Sequence, residues 1–240
     1  MDQGLYTPAD LADVPQIALD LSRGCGAPVG FAGIQSGEVV VDLGCGAGID
    51  LVLAVERAGS DGRAIGIDFS SRMIERAHQA VAEKGLADRV ELHVGDIAKL
   101  ELPDSIADVV ISNCVVNLCP DKDAVYHEAY RILKPGGRLA ISDITLMEEI
   151  APELRERFQS AGAGCLGGAI AEPDYWRIVS ETGFRDVQTV NRHLLSDDEV
   201  RALASCPGEE FCPPPSPADL SLVEGKVASV KFTAAKPSPT

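Results

Sequence analysis

Short apolar runs alternate along this chain with segments in which apolar residues recur at helical spacing. The run EVVVDLG over residues 38–44 ends in glycine and predicts a buried parallel strand. The stretch that follows, IDLVLAVERAG over residues 49–59, has helical periodicity and stops at a glycine, so it predicts a helix. Together the two predict a first βα unit.

The same order then repeats. Further strands are predicted within GRAIGIDFS, VELHVGDI, ADVVISNCVV and GRLAISDITL, and the last of these follows a Pro135-Gly136-Gly137 turn. Helical periodicity lies between them, from Met73 to Gly85 and again in AVYHEAYRIL. Repeated βα order predicts an α/β fold with a doubly wound, Rossmann-like sheet and right-handed crossovers.

The pattern changes after residue 146. A helix running into a small-residue loop is predicted in APELRERFQSAGAGCLGGAI, a second helix in EPDYWRIVSETGF and a strand in RDVQTVNRHL. A proline-rich loop follows, and GKVASVKFTAAKP alternates like an exposed-edge or antiparallel final strand. We expect one globular unit with three parts: an N-terminal segment over 1–37, a cofactor-binding domain over 38–146, and a C-terminal cap with the final strands over 147–240.

Charge and composition narrow the range of partners. The 240 residues carry a formal net charge of −16, which repels nucleic-acid phosphates and anionic membrane surfaces. No stretch approaches the roughly 18 apolar residues of a membrane span, and no signal-peptide pattern begins the chain. We expect a soluble, cytoplasmic monomer that acts on a small molecule, without nucleic-acid or membrane partners.

Glycines occupy every second position in DLGCGAGID, between the first strand and the first helix: Gly44, Gly46 and Gly48. Without side chains in the way, backbone N–H groups can approach a ligand closely, which predicts a nucleoside-binding turn. A dinucleotide-binding motif would place its third glycine one residue later. Because the chain has Ile49 there, NAD is disfavoured.

Acidic residues end the next two strands. Asp68 lies roughly 20 residues beyond the glycine loop, where a carboxylate accepts both ribose hydroxyls. Asp96, in VGDI, ends the third strand and is placed to face an adenine amino group. Because the carboxyl ends of parallel strands share one edge of the sheet, the loop and both carboxylates predict one nucleoside site.

The stretches VVDLGCGAG, GIDFS, VGDI and LKPGGRLAISD resemble the motifs of class I methyltransferases that use S-adenosylmethionine. The resemblance covers roughly residues 38–146. It implies that the glycine loop holds the methionine part of the cofactor and that the next two strands hold the ribose and the adenine. The cofactor-binding set so implied is Asp42, Gly44, Gly46, Gly48, Asp68, Phe69, Asp96, Ile97 and Asn113. For Asn113, a turn-forming role stays open as well.

Longer stretches resemble the arsenite methyltransferases: LSRGCGAPVGFAGIQSGEVVVDLG, ISNCVVNLCPDKDAVYHEAYRILKPGGRLAISDI and AGAGCLGGAI. Members carry one cysteine in a GCG turn and one in an AGC turn, matched here by Cys25 and Cys165. Many members add a third thiol toward the C-terminus, for which Cys206 and Cys212 are the candidates. The resemblance implies As(III) bound as substrate by these thiols, with a thiol reductant, glutathione or thioredoxin, as co-substrate.

The remaining cysteines have more ordinary interpretations. Seven cysteines are an odd number, which argues against a closed disulfide framework, and free cysteine is commonly a small buried hydrophobe. Cys114 lies in the apolar run of the fourth predicted strand, and we predict that it packs in the core. Cys45 is predicted to be a small residue that the glycine turn tolerates. Cys119 lies just past the strand, where the resembled family usually has serine, and is a candidate auxiliary thiol.

Arsenic chemistry agrees with thiol ligands. Trivalent arsenic is soft, and soft thiolates select such centres over oxygen-preferring ions. The arsenic lone pair points away from the sulfurs, so a site beside the cofactor's sulfonium aims that lone pair at the methyl carbon. Because the nucleophile loses no proton, no general base is needed, and none of the four histidines lies in a motif.

Two other functions stay open at the level of sequence, because a fold does not name the methyl acceptor. One is a small-molecule C- or O-methyltransferase of biosynthesis, in which the cysteines only pack. The other is a non-catalytic thiol sensor or carrier for As(III) or Sb(III) on the same fold. Formation of methylated arsenic from arsenite would distinguish an arsenite methyltransferase from both of these alternatives.

Overall fold

The computed structural model describes residues 6–7, 11–12, 14–19, 26–161, 163–204 and 215–239. Its strands are β1 Val39–Leu43, β2 Arg63–Asp68, β3 Val90–Val94, β4 Ala107–Asn113, β5 Leu133–Leu146, β6 Arg185–Leu194 and β7 Val227–Ala235. They form one seven-stranded sheet in the order β3-β2-β1-β4-β5-β7-β6. β1 to β5 are parallel, and β7 runs antiparallel between β5 and β6. The predicted α/β, Rossmann-like sheet is confirmed.

Helices connect and cover these strands. Gly48, with φ of +93°, precedes the helix that follows β1, and the Ser70 hydroxyl accepts a hydrogen bond from the Met73 N–H at the start of the helix after β2. Short 3₁₀ turns span Pro28–Gly30 and Val116–Leu118. The helices are α1 Gln16–Leu19, α2 Ile49–Arg57, α3 Ser71–Glu83, α4 Lys122–Ile132, α5 Pro152–Ser160, α6 Cys165–Gly168, α7 Glu172–Thr182, α8 Asp197–Ala204 and α9 Pro217–Ser221.

The core lies on both faces of the sheet. Alternate residues of one strand enter different clusters: Val41 packs with Tyr126 and Phe232 on one face, and Val40 packs with Leu53 on the other. Strands buried on both faces have the continuous apolar runs seen in the sequence. Each fully buried large side chain contributes roughly 1.5–3 kcal/mol of transfer free energy, so the parallel half of the sheet is a rigid base for the loops at its carboxyl edge.

The Pro135-Gly136-Gly137 sequence, predicted as a turn before the fifth strand, lies inside β5. The pairing of β5 with β4 passes from Ala107 opposite Leu133 to Val109 opposite Arg138, so the additional residues bulge without ending the strand. The N–H of Gly136 donates to the carbonyl of Lys236 at 2.9 Å. The Lys236 backbone therefore holds this segment in the sheet as a bulge, within which Gly136 has a left-handed backbone with φ of +82°.

Two further local expectations need correction. β7 is antiparallel, as one alternative predicted, but it is not an exposed edge: its first four residues are buried, and β6 forms the edge instead. The predicted small-residue loop contains the one-turn helix α6. No helix of the described residues is long and apolar enough to cross a bilayer.

Candidate active site

The glycine loop turns sharply at the carboxyl end of β1. Gly44 has φ of +76° and its N–H donates to the carbonyl of Ile67 at 2.8 Å. A Cβ atom at Gly44 would lie 2.4 Å from the Val115 side chain, so this position has no room for another residue. Gly46 has φ of +52° and nothing within 4 Å of the place of its missing Cβ, so a ligand can approach the backbone there.

Asp68 joins the end of β2 to this loop. Its Oδ2 accepts a hydrogen bond from the Gly46 N–H at 3.0 Å, and its Oδ1 accepts one from the Ser70 N–H at 2.9 Å. The side chain of Phe69, the next residue, is 78% exposed, which is unusual for a large apolar group. A carboxylate beside an exposed aromatic ring at the edge of the sheet suits a ribose and an adenine.

Asp96 and Ile97 lie just past the end of β3. The Oδ1 atom of Asp96 accepts a hydrogen bond from the Ala98 N–H at 2.8 Å, which shapes the turn, and Ile97 is buried. Val94, paired with Asp68 across β2 and β3, is more than half exposed. The predicted adenine-binding side therefore has one carboxylate and several apolar groups on neighbouring strand ends.

Two buried carboxylates flank the loop. Asp42 ends β1, and Asp50 lies in the first turn of α2. Burial raises the pKa of Asp42 well above its usual range, and the charges of Asp50 and Asp68 raise it further. Burial also raises the pKa of Asp50, to about 6, against the hydrogen bonds from Asn113 and Tyr6. A cation bound beside these two carboxyls would therefore favour their ionised forms.

This pair of carboxylates fits a cationic ligand. Oδ2 of Asp42 and Oδ1 of Asp50 are buried without a hydrogen-bond partner among the described residues. Buried acceptors are nearly always satisfied, so two orphaned oxygens beside an open glycine backbone mark a place for a donor or a positive charge. The methionine end of S-adenosylmethionine carries both an ammonium and a sulfonium group.

Asn113, which ends β4, is held by hydrogen bonds to three other parts of the chain. Its amide exchanges two hydrogen bonds with the backbone of Gly26: Nδ2 lies 2.7 Å from the Gly26 oxygen, and the Gly26 N–H donates to Oδ1 at 3.0 Å. Nδ2 is also 3.0 Å from Asp50 Oδ2 and 3.1 Å from the Tyr6 hydroxyl. These groups occupy the amide, so the geometry favours an anchoring role over direct cofactor binding.

Cys165 lies at the start of α6, over the segment that leaves β4. Its thiol donates a hydrogen bond to the carbonyl oxygen of Cys114 at 2.8 Å. Cys114 is one residue past the strand rather than within it, with φ of +63°, and its side chain is buried as predicted. Cys119 is half-buried, and its thiol points to the carbonyl of Asp121 at 3.6 Å. Among the described cysteines, Cys165 is thus the one held over the end of β4.

A buried polar chain lies behind this segment. The Tyr126 hydroxyl donates to that of Tyr175 at 2.8 Å, and Tyr175 donates to Asp143 Oδ2 at 2.9 Å. Asn117 Nδ2 donates to Asp143 Oδ1 at 2.9 Å. Lys122 is only 8% exposed, and burial lowers its pKa while the charge of Asp143 opposes that change.

Three of the predicted arsenic ligands, Cys25, Cys206 and Cys212, lie outside the described residues. Within the part of the chain that the structure describes, no group of three or more His, Cys, Asp or Glu side chains is arranged to hold a metal ion. Cys45 is buried inside the glycine loop, and burial raises the pKa of its thiol. A packing role for Cys45 agrees with both observations.

A family model described as a methyltransferase domain matches residues 34–192. The chain belongs to that family. A protein named arsenite methyltransferase from Halobacterium salinarum is 43% identical over 183 residues, which are 76% of this chain and 46% of that protein. One from Aquipseudomonas alcaligenes is 39% identical over 72% of this chain and 51% of its own length. The chain spans about half the length of these curated relatives.

Solved structures agree with the family. An arsenic(III) S-adenosylmethionine methyltransferase from Chlamydomonas reinhardtii superposes with a TM-score of 0.79 at 32% identity, over 95% of this chain and 73% of that one. A phosphoethanolamine N-methyltransferase from Haemonchus contortus, at 20% identity and a TM-score of 0.68, shares the fold. The predicted class I methyltransferase fold and the resemblance to arsenite methyltransferases are both confirmed.

Sequence reasoning missed several residues of this site. Asp50 left a signal: it is the one charged position in the stretch IDLVLAV over residues 49–55, and that whole stretch is buried. Tyr6 left none, because its partners Asp50 and Asn113 are 44 and 107 residues away in the chain.

Proposed function

We propose that this chain transfers methyl groups from S-adenosylmethionine to trivalent arsenic held by cysteine thiolates. The observation that carries the proposal is the placement of the Cys165 thiol on the carbonyl of Cys114. The preceding residue, Asn113, contacts Asp50 in the helix that follows the glycine loop. The Cys165 thiol, a soft ligand for the acceptor, therefore contacts the residue that follows Asn113, and Asn113 contacts the helix after the glycine loop.

Residues 38–146 would bind the cofactor, which supplies an electrophilic methyl group on a positively charged sulfur. Asp42 and Asp50 would hold its cationic methionine end, because their orphaned oxygens are buried and a bound cation would favour the ionised forms of both carboxyls. Asp68 would accept the ribose hydroxyls, and Phe69 with Ile97 would contact the adenine. Phe69 supports this assignment because an apolar ring that is 78% exposed has little role in folding.

Cys165 and Cys25 would bind the substrate, with Cys206 or Cys212 as a third ligand, and residues 147–240 would cover the site. Each thiol that binds arsenite forms a sulfur–arsenic bond, and its proton leaves with one arsenite hydroxide as water. The arsenic lone pair would then attack the methyl carbon, so that the As–C bond forms as the C–S bond breaks and the cofactor leaves as a neutral thioether. No proton transfer would accompany this step. Holding the two reacting atoms about 3–3.5 Å apart supplies most of the acceleration.

Three of the four histidines have partners outside the site. His93, His127 and His193 contact Glu91, the carbonyl of Asp123 and Glu199, none of which belongs to the site. Methylation of an oxygen or nitrogen acceptor would usually require a positioned base. The relatives named arsenite methyltransferase add independent support, and a thiol reductant such as glutathione or thioredoxin would complete the cycle.

The decisive experiment incubates the protein with methyl-labelled S-adenosylmethionine, arsenite and a thiol reductant, and separates the arsenic products by chromatography. We expect labelled methylarsenicals from the wild type. Stoichiometric As(III) binding without any methylated arsenic would contradict the proposal and favour a thiol sensor. Methylation of a carbon or oxygen acceptor, with arsenite inert, would favour a biosynthetic methyltransferase instead.

Cysteine variants provide the matched control. Cys165→Ser should abolish arsenite methylation and keep cofactor binding, because serine oxygen is a poor ligand for a soft centre. Cys119→Ser removes another half-buried loop thiol, whose hydrogen bond runs to Asp121 rather than toward Cys165, and should retain activity. Equal activity of both variants and the wild type would reject Cys165 as a ligand.

A further inference from the structure

Tyr6 connects the N-terminal segment to the proposed cofactor site. Its hydroxyl donates a hydrogen bond to Oδ2 of Asp50 at 3.0 Å, across 44 residues of chain, and accepts one from the Asn113 amide at 3.1 Å. The same amide nitrogen lies 3.0 Å from Asp50 Oδ2. We infer, building on the proposed function, that Tyr6 is a positioning residue, which holds Asp50 so that its Oδ1 receives the ammonium group of S-adenosylmethionine.

The ring of Tyr6 is fixed beside the glycine loop. Tyr6 is only 6% exposed, and it belongs to one buried cluster with Ala47 of the loop and with Ile49 and Leu53 of α2. Because apolar neighbours confine the ring, its hydroxyl is directed at Asp50 rather than at solvent. The N-terminal segment thus contributes a side chain to the region that would bind the cofactor.

Both donors use the same oxygen of Asp50. Oδ2 accepts the hydrogen bonds from Tyr6 and Asn113, whereas Oδ1 is buried without a hydrogen-bond partner among the described residues. A carboxylate held through one oxygen cannot turn freely, so its other oxygen keeps one direction. Buried acceptors are nearly always satisfied, and an ammonium group offers three donors. The nearby loop is open at Gly46, where a ligand can approach the backbone.

The two hydrogen bonds also distinguish Asp50 from Asp42, the other buried carboxyl of the site. Burial raises the pKa of Asp42 well above its usual range, and the charge of Asp50 contributes to that rise. Burial raises the pKa of Asp50 only to about 6, because the hydrogen bonds from Asn113 and Tyr6 and the charge of Arg57 oppose it. At neutral pH, Asp50 is therefore the ionised member of the pair, which suits it to a cation.

The ammonium group is the cation that fits this oxygen. The methionine end of S-adenosylmethionine carries an ammonium and a sulfonium, and only the ammonium has N–H donors. It alone can neutralise the carboxylate and also satisfy the orphaned Oδ1 of Asp50 with a charge-assisted hydrogen bond. Tyr6 would touch neither the cofactor nor the reacting atoms, and it would act through the carboxylate.

Three ligands test this assignment in the wild type by isothermal titration calorimetry, with displacement titrations for weak binding. S-adenosylmethionine carries both cations, S-adenosylhomocysteine keeps only the ammonium, and 5′-methylthioadenosine has neither. Between pH 6 and pH 7.5, the affinity for the first two should rise as Asp50 ionises, and the affinity for the third should stay constant. Equal pH dependence for all three ligands, or a rise confined to S-adenosylmethionine, would overturn the inference.

Tyr6→Phe tests the positioning role, because it removes the hydroxyl and keeps the buried ring. Loss of this donor raises the pKa of Asp50. Affinity for S-adenosylmethionine and S-adenosylhomocysteine should therefore fall by about fivefold or more at pH 6 and by a smaller factor at pH 7.5. Affinity for 5′-methylthioadenosine should be unchanged. An equal loss for all three ligands would make Tyr6 a structural residue, and no loss for any of them would reject its role.

Tyr175→Phe is the matched control. It also removes a buried hydroxyl that donates to a buried carboxylate with a pKa of about 6, that of Asp143, which is not part of the proposed cofactor site. All three affinities should match those of the wild type. A loss equal to that of Tyr6→Phe would attribute the effect to any missing buried hydroxyl and reject the inference.

A double-mutant cycle tests whether Tyr6 acts through Asp50. In an Asp50→Asn background, Tyr6→Phe should cause no further loss of affinity for S-adenosylhomocysteine, because the carboxylate that it positions is already absent. A full additional loss would show that the two residues act independently, which contradicts a positioning role.

The outcomes distinguish this inference from the proposed function. Ligand affinities that follow the expected pattern, without methylated arsenic in the product assay, defeat the proposed function alone. Arsenite methylation by the wild type, with every affinity unchanged in Tyr6→Phe, defeats the inference alone. Melting temperature is measured for every variant, and if Tyr6→Phe does not fold, the ligand series on the wild type decides the question.

Discussion

The hydroxyl of Tyr175 donates a hydrogen bond of 2.9 Å to the carboxylate of Asp143, and both side chains are only 1% exposed. Burial raises the pKa of Asp143 from 3.8 to about 6, although hydrogen bonds from Ile144 and Tyr175 and the charge of Lys122 act in the opposite direction. The ionised form of this carboxylate is therefore less stable in the folded protein than in the unfolded chain.

Replacing Asp143 with asparagine should make stability less dependent on pH. A carboxyl whose pKa is raised by folding contributes stability below its unfolded value of 3.8, and that contribution is lost as pH rises through about 6. Asparagine at position 143 cannot ionise. As pH rises from about 4 to above 6, the free energy of unfolding of Asp143→Asn should therefore increase relative to that of the wild type by about 3 kcal/mol. Urea denaturation at pH 4 and pH 7 measures the difference, and parallel pH profiles would contradict the raised pKa.

Cofactor affinity should rise with pH near the pKa of Asp50. This carboxyl has a pKa of about 6 in the cofactor-free protein, and a cation bound beside it would favour the ionised form. Binding then releases a proton below pH 6, so the affinity for S-adenosylmethionine should increase by up to about tenfold per pH unit toward that value. Isothermal titration calorimetry from pH 5 to 7.5 checks this trend. Asp50→Asn should flatten it, and an equally steep profile in that variant would assign the proton to another group.

Alanine at Gly46 should separate cofactor binding from folding. Gly46 and Gly85 both have positive φ, +52° and +65°, and both have open space where a Cβ would lie. Each alanine variant should lose about 1 kcal/mol of stability from left-handed backbone strain. Gly46→Ala should also abolish cofactor binding detectable by calorimetry, because its methyl group occupies the approach to the loop, whereas Gly85→Ala should bind normally. Normal binding by Gly46→Ala would remove that residue from the cofactor site.

Phe69 should matter for binding and hardly at all for folding. Since its ring is 78% exposed, Phe69→Ala should change the free energy of unfolding by no more than about 0.5 kcal/mol. Loss of a ring stacked on adenine should weaken S-adenosylmethionine binding by roughly tenfold, equivalent to about 1–2 kcal/mol. Val190→Ala, at a half-exposed residue of the edge strand β6, serves as the control in the same calorimetric titration. Unchanged affinity in Phe69→Ala would place the adenine elsewhere.

The local sequence pattern was enough to predict the parallel half of the sheet. The apolar runs, the glycine loop and the carboxylates at strand ends are all signals read within a few residues, and each of the first four strands lies where the sequence predicted it. Local pattern failed where a distant partner decides the conformation. Residues 135–137 have turn composition but stay inside β5 as a bulge, because Gly136 and Gly137 form backbone hydrogen bonds with Lys236. The alternating segment of β7 is interior because β6 covers its outer edge.

The sequence by itself determined the α/β class, the glycine loop after β1 and the cysteines whose surroundings resemble those of arsenite methyltransferases. Only the tertiary structure decided what Asn113 and Cys114 do, since their partners, Gly26 and Cys165, lie 87 and 51 residues away in the chain. The physical reason is the range of the interactions. Periodicity and turn chemistry act between neighbours in sequence, whereas hydrogen bonds and close packing between separate loops exist only after the sheet has brought the loops together.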